Sequence, residues 1–231
     1  MTTVKFEFTK EQAEDLNQVH AEFHHAYGVA MSQWAGVERS LYLWFVHVTQ
    51  MKEKVARAVF YSARSFNARA EMLQAAIDQG GHLAPERLEF IQKALGRAWG
   101  YSSFRNRMAH GEPMMNILDL KGQPRKVSWS IVQGKTRDRA TDISMEDFET
   151  AHRNFYMLQN LLIDTHPTPG VGNPDHQWPA KALQLLSELP TEANSKTVPN
   201  PKAPSSQPQA DGRVNKKAYR EQQQAAKDRP D

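Results

Sequence analysis

The chain contains no cysteine. Disulfides, thiolate zinc sites and cysteine nucleophiles are therefore excluded from its stability and its chemistry. No apolar run approaches the ~18 residues that a membrane-spanning helix needs. The opening residues, Met-Thr-Thr-Val-Lys-Phe-Glu-Phe, lack the apolar core of a secretory leader. The expectation is a cytoplasmic protein without a membrane partner. Phosphate-cradling glycine loops of the G-x-x-x-x-G-K-[ST] and G-x-G-x-x-G types are missing, as are the G-x-S-x-G elbow and the H-E-x-x-H helix. The nucleotide-binding, serine-hydrolase and zinc-protease chemistries that rest on those motifs lose their usual support.

A surplus of one charge is also missing from most of the chain. The formal net charge is +3 over 231 residues. Thr191 to Asp231 holds eight Lys/Arg and five Asp/Glu, which leaves 21 of each sign in the first 190 residues. A neutral body argues against a broad basic face for nonspecific duplex binding. The last 41 residues are rich in Pro, Gln, Ser and Lys, with Val198, Val214 and Tyr219 as their only large apolar side chains. Such a segment buries too little surface to offset its ordering entropy. Residues 191–231 are expected to be a disordered tail, with a transient helix about 216–227. Residues 1–190 are expected to form one domain.

Within that domain the apolar spacing is helical. Thr9-Lys10-Glu11-Gln12 reads as a capping box. Ala13, Leu16, Val19, Phe23, Ala26 or Tyr27, Ala30, Trp34, Val37, Leu41, Trp44 or Phe45, and Val48 follow at steps of about three and four. They predict one very long helix or two nearly collinear ones, bent at Gly28 or Gly36. A second helix is predicted over about 52–79, ended by a left-handed cap at Gly80-Gly81. A third starts near Pro85 and carries Leu88, Ile91, Leu95, Ala98 and Trp99 on its apolar face.

The period then changes. Asn116 to Leu120, a turn at Lys121-Gly122-Gln123-Pro124, and Lys126 to Val132 predict a small β-hairpin, an insert of about 115–133. Ser144 caps a fourth helix, with Asp147 at its third position. A Pro- and Gly-rich loop over 167–179 leads to a short amphipathic helix, Ala180 to Leu189. The fold class is all-α: a four- to five-helix up-and-down bundle with an inserted hairpin and a C-terminal tail. Trp34, Trp44, Phe45 and Trp99 are read as core or dimer contacts rather than base-stacking platforms.

Chemistry concentrates at Phe104-Arg105-Asn106-Arg107-Met108-Ala109-His110-Gly111. On a regular helix, residues five apart are separated by about 140° in projection, so Arg105 and His110 converge only if the helix ends between them. Gly111 is expected to supply that end, with Pro113 preventing continuation. Arginine grips a phosphate through two parallel hydrogen bonds and stabilises charge that builds on its oxygens. Histidine takes a proton from a ribose 2′-hydroxyl or gives one to the leaving oxygen. Asn106 can orient the imidazole or a phosphate oxygen. Arg107 is a second phosphate contact or a solvated side chain. Glu38 lies within the apolar stripe of the first helix and needs a cation; Arg105, Arg39 and Arg64 are the candidates. If Arg105 is that cation, Glu38 belongs to the substrate site. His20, His24 and His25 are candidate metal ligands, His20 and His24 being four apart on a helix. No acidic third ligand at a characteristic spacing accompanies His20 and His24, so no metal and no cofactor is expected.

The segment from Arg105 to His110 resembles the signature of the HEPN (higher eukaryotes and prokaryotes nucleotide-binding) domain family: Arg, a polar residue, a few more, then His. The motif match spans eight residues, and the helical order agrees over about 9–165. The resemblance implies a homodimer in which two copies of the motif face one cleft and form a metal-independent endoribonuclease site. Arg105, His110 and Asn106 would be its catalytic residues and RNA its substrate. Many family members are toxins paired with an antitoxin or regulatory protein, or act in phage defence. Others are non-catalytic modules that bind nucleotide, RNA or a protein partner. The Tyr that some toxin members carry two residues after the His is Glu112 here.

Overall fold

Thr9 begins the first helix through both halves of the anticipated capping box. Its Oγ1 accepts from the Gln12 amide at 3.2 Å, and its own amide donates to Gln12 Oε1 at 3.0 Å. Helix α1 then runs unbroken from Lys10 to Thr49, a span of about 60 Å at 1.5 Å per residue. Gly28 and Gly36 interrupt nothing. Gln50 closes α1 in the left-handed conformation, with φ 55°. The computed structural model describes residues 9–80, 83–118, 126–132, 142–167 and 178–195. The chain divides into two units, Met1–Val198 and Pro199–Asp231, and every described residue lies in the first.

The segment expected as one helix over 52–79 is two: α2 (Glu53–Ser62) and α3 (Phe66–Gln79). Ala63 is extended, and Ser65 Oγ accepts from the Ala68 amide at 3.2 Å, so Ser65 begins a new helix. Gly80 closes α3 with φ −86°, not in the left-handed region. Gly81 and the hairpin turn at 121–124 lie outside the described residues. The bundle therefore has six helices among the described residues, not four or five.

Helix α4 spans Pro85–His110, with Pro85 in its first turn. Gly111 is the single residue between α4 and strand β1 (Glu112–Leu118). Strand β1 pairs antiparallel with β2 (Lys126–Val132), Glu112 opposite Val132 and Met115 opposite Trp129. Helix α5 (Met145–Asp164) starts at the expected Ser144–Asp147 capping box, and α6 (Trp178–Glu188) follows.

The core lies along α1. Phe23 meets Phe148, Trp34 meets Phe155, and Trp44 Nε1 donates to the Leu162 carbonyl at 2.9 Å. Partners advance together on both helices, so α1 and α5 run parallel. Helix α4 runs the other way: Trp44 lies by Phe90, and Phe155, which packs on Trp34, also packs on Tyr101. Trp34, Trp44 and Phe45 are buried, and Trp99 packs at the core margin, as their spacing predicts. Full burial of each such side chain is worth about 1.5–3 kcal/mol.

The body extends past the predicted boundary at 190. Ala193 is fully buried, and the buried Asn154 Nδ2 donates to the Ala193 and Ser195 carbonyls at 2.7 and 2.9 Å. Asn194 Nδ2 donates to Asp147 Oδ1 at 2.9 Å. Residues 189–195 are thus a strap across α4 and α5. The predicted disorder and transient helix of the remaining tail lie outside the described residues.

Candidate functional site

Helix α4 does not end between Arg105 and His110. It continues through His110 and stops at Gly111, which is extended (φ −83°, ψ 162°) and whose amide donates to the Arg107 carbonyl at 3.0 Å. The left-handed glycine cap expected at this position is absent. Five residues of regular helix separate the two side chains by about 140° in projection. Arg105 is four residues after Tyr101 and three before Met108, both buried, and so starts on the inward face. His110 is exposed. A single protomer therefore does not bring the guanidinium and the imidazole together in the way the sequence pattern suggests.

Each member of the motif has a definite setting. Arg105 is half-buried; its Nη1 donates to Asn106 Oδ1 at 3.1 Å, and its buried Nε–H has no partner among the described residues. Asn106 thus holds the arginine, not the imidazole. The Arg107 guanidinium lies over the Phe104 ring, 5.3 Å from its centroid. It also acts on Asp147. Burial alone would raise the Asp147 carboxyl, but hydrogen bonds from Asn194 and Ser144, helped by the Arg107 charge, hold it below its usual value. Arg107 is therefore engaged with the start of α5 as well as facing the motif.

Glu38 lies elsewhere. It accepts from Trp34 Nε1 at 2.6 Å and pairs with Arg69 Nη1 at 2.7 Å, the two charged side chains being 16% and 15% exposed. Neither Arg105, Arg39 nor Arg64 is its partner. An ion pair between residues 31 apart has no local signature in a chain, so the sequence does not point to Arg69.

His20 and His24 are edge to face at 4.3 Å, and His20 packs on Trp129 of the hairpin at 4.7 Å. Their place is the α1–β2 seam. No three His, Asp or Glu side chains among the described residues are gathered around one point suited to a metal ion. No described helix is long and apolar enough to cross a membrane.

The class of protein that these features define is an all-α bundle with a two-stranded hairpin after its fourth helix, and a charged Arg-Asn-Arg…His turn at their junction. Comparison with family models, with curated proteins and with solved structures gives no match to this chain.

Proposed function

We propose that the chain is a metal-independent endoribonuclease of HEPN type that acts as a homodimer, with RNA as substrate. The observation that carries this reading is the last turn of α4. An accessible imidazole and an arginine with an unsatisfied buried N–H lie about one and a half turns apart, beside the hairpin. Because one copy directs them to different sides, the working group has to be assembled from two copies. In that group an imidazole takes the proton of a ribose 2′-hydroxyl as its oxygen attacks phosphorus. The bond from phosphorus to the 5′ oxygen breaks, and a second imidazole protonates the leaving oxygen. Arginine matches the charge gained by the non-bridging oxygens. The products are a 2′,3′-cyclic phosphate and a 5′-hydroxyl.

The test is RNA cleavage in excess chelator by the wild type, Arg105→Ala and His110→Ala, with the termini read by mass spectrometry. Loss of one proton-transfer group is expected to slow cleavage by about 10²–10⁴-fold. Cleavage that persists in both variants, or that disappears with chelator, removes this reading.

A second reading is a module that binds RNA without cutting it. The inward start of Arg105, with its Nη1 tied to Asn106, favours it. Wild-type protein that retains RNA on a filter but yields no new termini would establish it.

A further inference from the structure

The segment from Lys52 to Arg64 breaks the charge balance of the body. It holds Lys52, Lys54, Arg57 and Arg64 against the single acid Glu53, a net of +3, whereas the first 190 residues carry 21 charges of each sign. All four cations are exposed, and none forms an ion pair among the described residues. Helix α2 buries only Ala56 and Phe60, Phe60 meeting Tyr42 at 5.6 Å and Phe45 at 5.2 Å between ring centroids. Lys54, Arg57 and Tyr61 follow at steps of three and four, so they share the face turned away from that core.

Tyr61 is an aromatic ring held at the surface. It packs on Tyr42 at 5.3 Å, and the Arg69 guanidinium, itself anchored by Glu38, lies 5.8 Å from its centroid. Even so, 46% of Tyr61 is exposed. Cations that neutralise phosphates, set around a braced ring on which a base can stack, are the two components of a single-strand binding surface. A duplex would need a broader basic face than these four side chains supply. A helix that lies on a membrane gives its large apolar side chains to lipid. Helix α2 has Phe60 against α1 instead and leaves Val55 as its one exposed aliphatic of size.

We propose that the outward face of α2 binds single-stranded RNA, with Lys54 and Arg57 on phosphates and one base stacked on Tyr61. Lys52 and Arg64 extend the basic track past the two ends of the helix. The surface is separate from the α4 motif of the same copy. Phe155 packs on both Trp34 and Tyr101, which sets those two level. Tyr42, beside Tyr61, lies eight residues further along α1, and His110 lies nine residues further along the antiparallel α4. About 25 Å along the bundle therefore divides them. The choice of RNA over DNA rests on the ribonuclease reading; the surface itself rests on its own residues.

The experiment is fluorescence anisotropy of a labelled oligouridylate of about ten nucleotides, titrated with the full chain carrying His110→Ala to suppress cleavage. Adding Tyr61→Ala should weaken binding about 5–150-fold, the worth of one stacked base, whereas Tyr61→Phe should bind as Tyr61 does. Lys54→Ala with Arg57→Ala should lower the affinity and reduce the slope of log affinity against log salt by about 1.4, or about 0.7 for each phosphate contact. Lys10→Ala, at the far end of α1 with its side chain 92% exposed, should change neither. Circular dichroism verifies that each chain is folded. Absence of binding overturns the proposal, and so does affinity that neither Tyr61→Ala nor the double replacement alters. Tighter binding of oligothymidylate removes the assignment to RNA. Capture by phosphatidylserine vesicles without retention of RNA makes the face a membrane contact instead. Binding through α2 with no cleavage by the wild type leaves this surface standing and removes the ribonuclease reading. Cleavage by the wild type with no loss of binding in the α2 variants does the reverse.

Discussion

Glu38 shows how a charged residue can sit in an apolar stripe without being part of an active centre. Its carboxylate answers the Trp34 N–H and the Arg69 guanidinium together. Arg69→Ala should cost about 1–3 kcal/mol in urea unfolding, because a shielded carboxylate is left without its donor. Replacing both partners, as Glu38→Gln with Arg69→Met, should recover much of that loss. An Arg69→Ala chain as stable as the wild type would show the pair to be inert. His166 makes a prediction about pH. It is buried against Trp44 and His47. Burial holds its imidazole below the ordinary 6.5, opposed by a hydrogen bond to the Leu43 backbone and aided by the Arg87 charge. The unfolded chain therefore takes up the proton more readily. The stability in question is complete above pH 6.5 and declines as pH falls from there toward the folded value. The difference in urea midpoint between pH 7.5 and pH 5 should shrink in His166→Gln; an equal difference in both chains would assign the acid sensitivity to other groups. The residue types of the α4 motif were readable from the chain, but their directions were not. Helix continuity through His110 is decided by hydrogen bonds and by the strand that follows, and neither Gly111 nor Pro113 reveals that by itself.

At the level of the elements, the sequence was most informative where a capping side chain precedes a periodic stripe, as at Thr9 and Ser144. It was least informative at Ser65, where a lone serine lacks the reciprocal Gln or Glu of a capping box, and the apolar stripe continues across the break. Strand β1 begins four residues earlier than its alternation suggests, because Glu112 to Met115 gain ladder partners that composition does not announce. Two helical glycines make opposite predictions. A Cβ at Gly28 meets nothing within 4 Å, so Gly28→Ala should stabilise α1 by about 0.5–1 kcal/mol. A Cβ at Gly100 would come within 2.7 Å of the Thr191 carbonyl oxygen. Gly100→Ala should therefore destabilise by about 1–3 kcal/mol through overpacking, despite its better helix propensity. Thermal melts of the two variants check both signs, and a shared direction would contradict this account.

For the molecule as a whole, the all-α class and the place of the hairpin followed from the change of period after residue 111. The end of the body did not. Residues 191–195 are polar and small, and only the fold supplies the buried amide of Asn154 that binds them. A chain ending at Val198 should match the stability of the full protein. One ending at Pro190 leaves the Asn154 donor unsatisfied and strips cover from α4, at a cost of about 1–3 kcal/mol for the unmade hydrogen bonds alone. Denaturant midpoints of the two truncations decide the point, and equal midpoints would show the strap to be dispensable.

The joint at Gly111 carries a mechanical implication. One residue separates the last helical turn from a strand whose ladder runs through Ile131 to Ile143, next to the start of α5. With no slack there, the azimuth of the His110 ring is geared to the hairpin. A binder that twisted those two strands would swivel the imidazole with them.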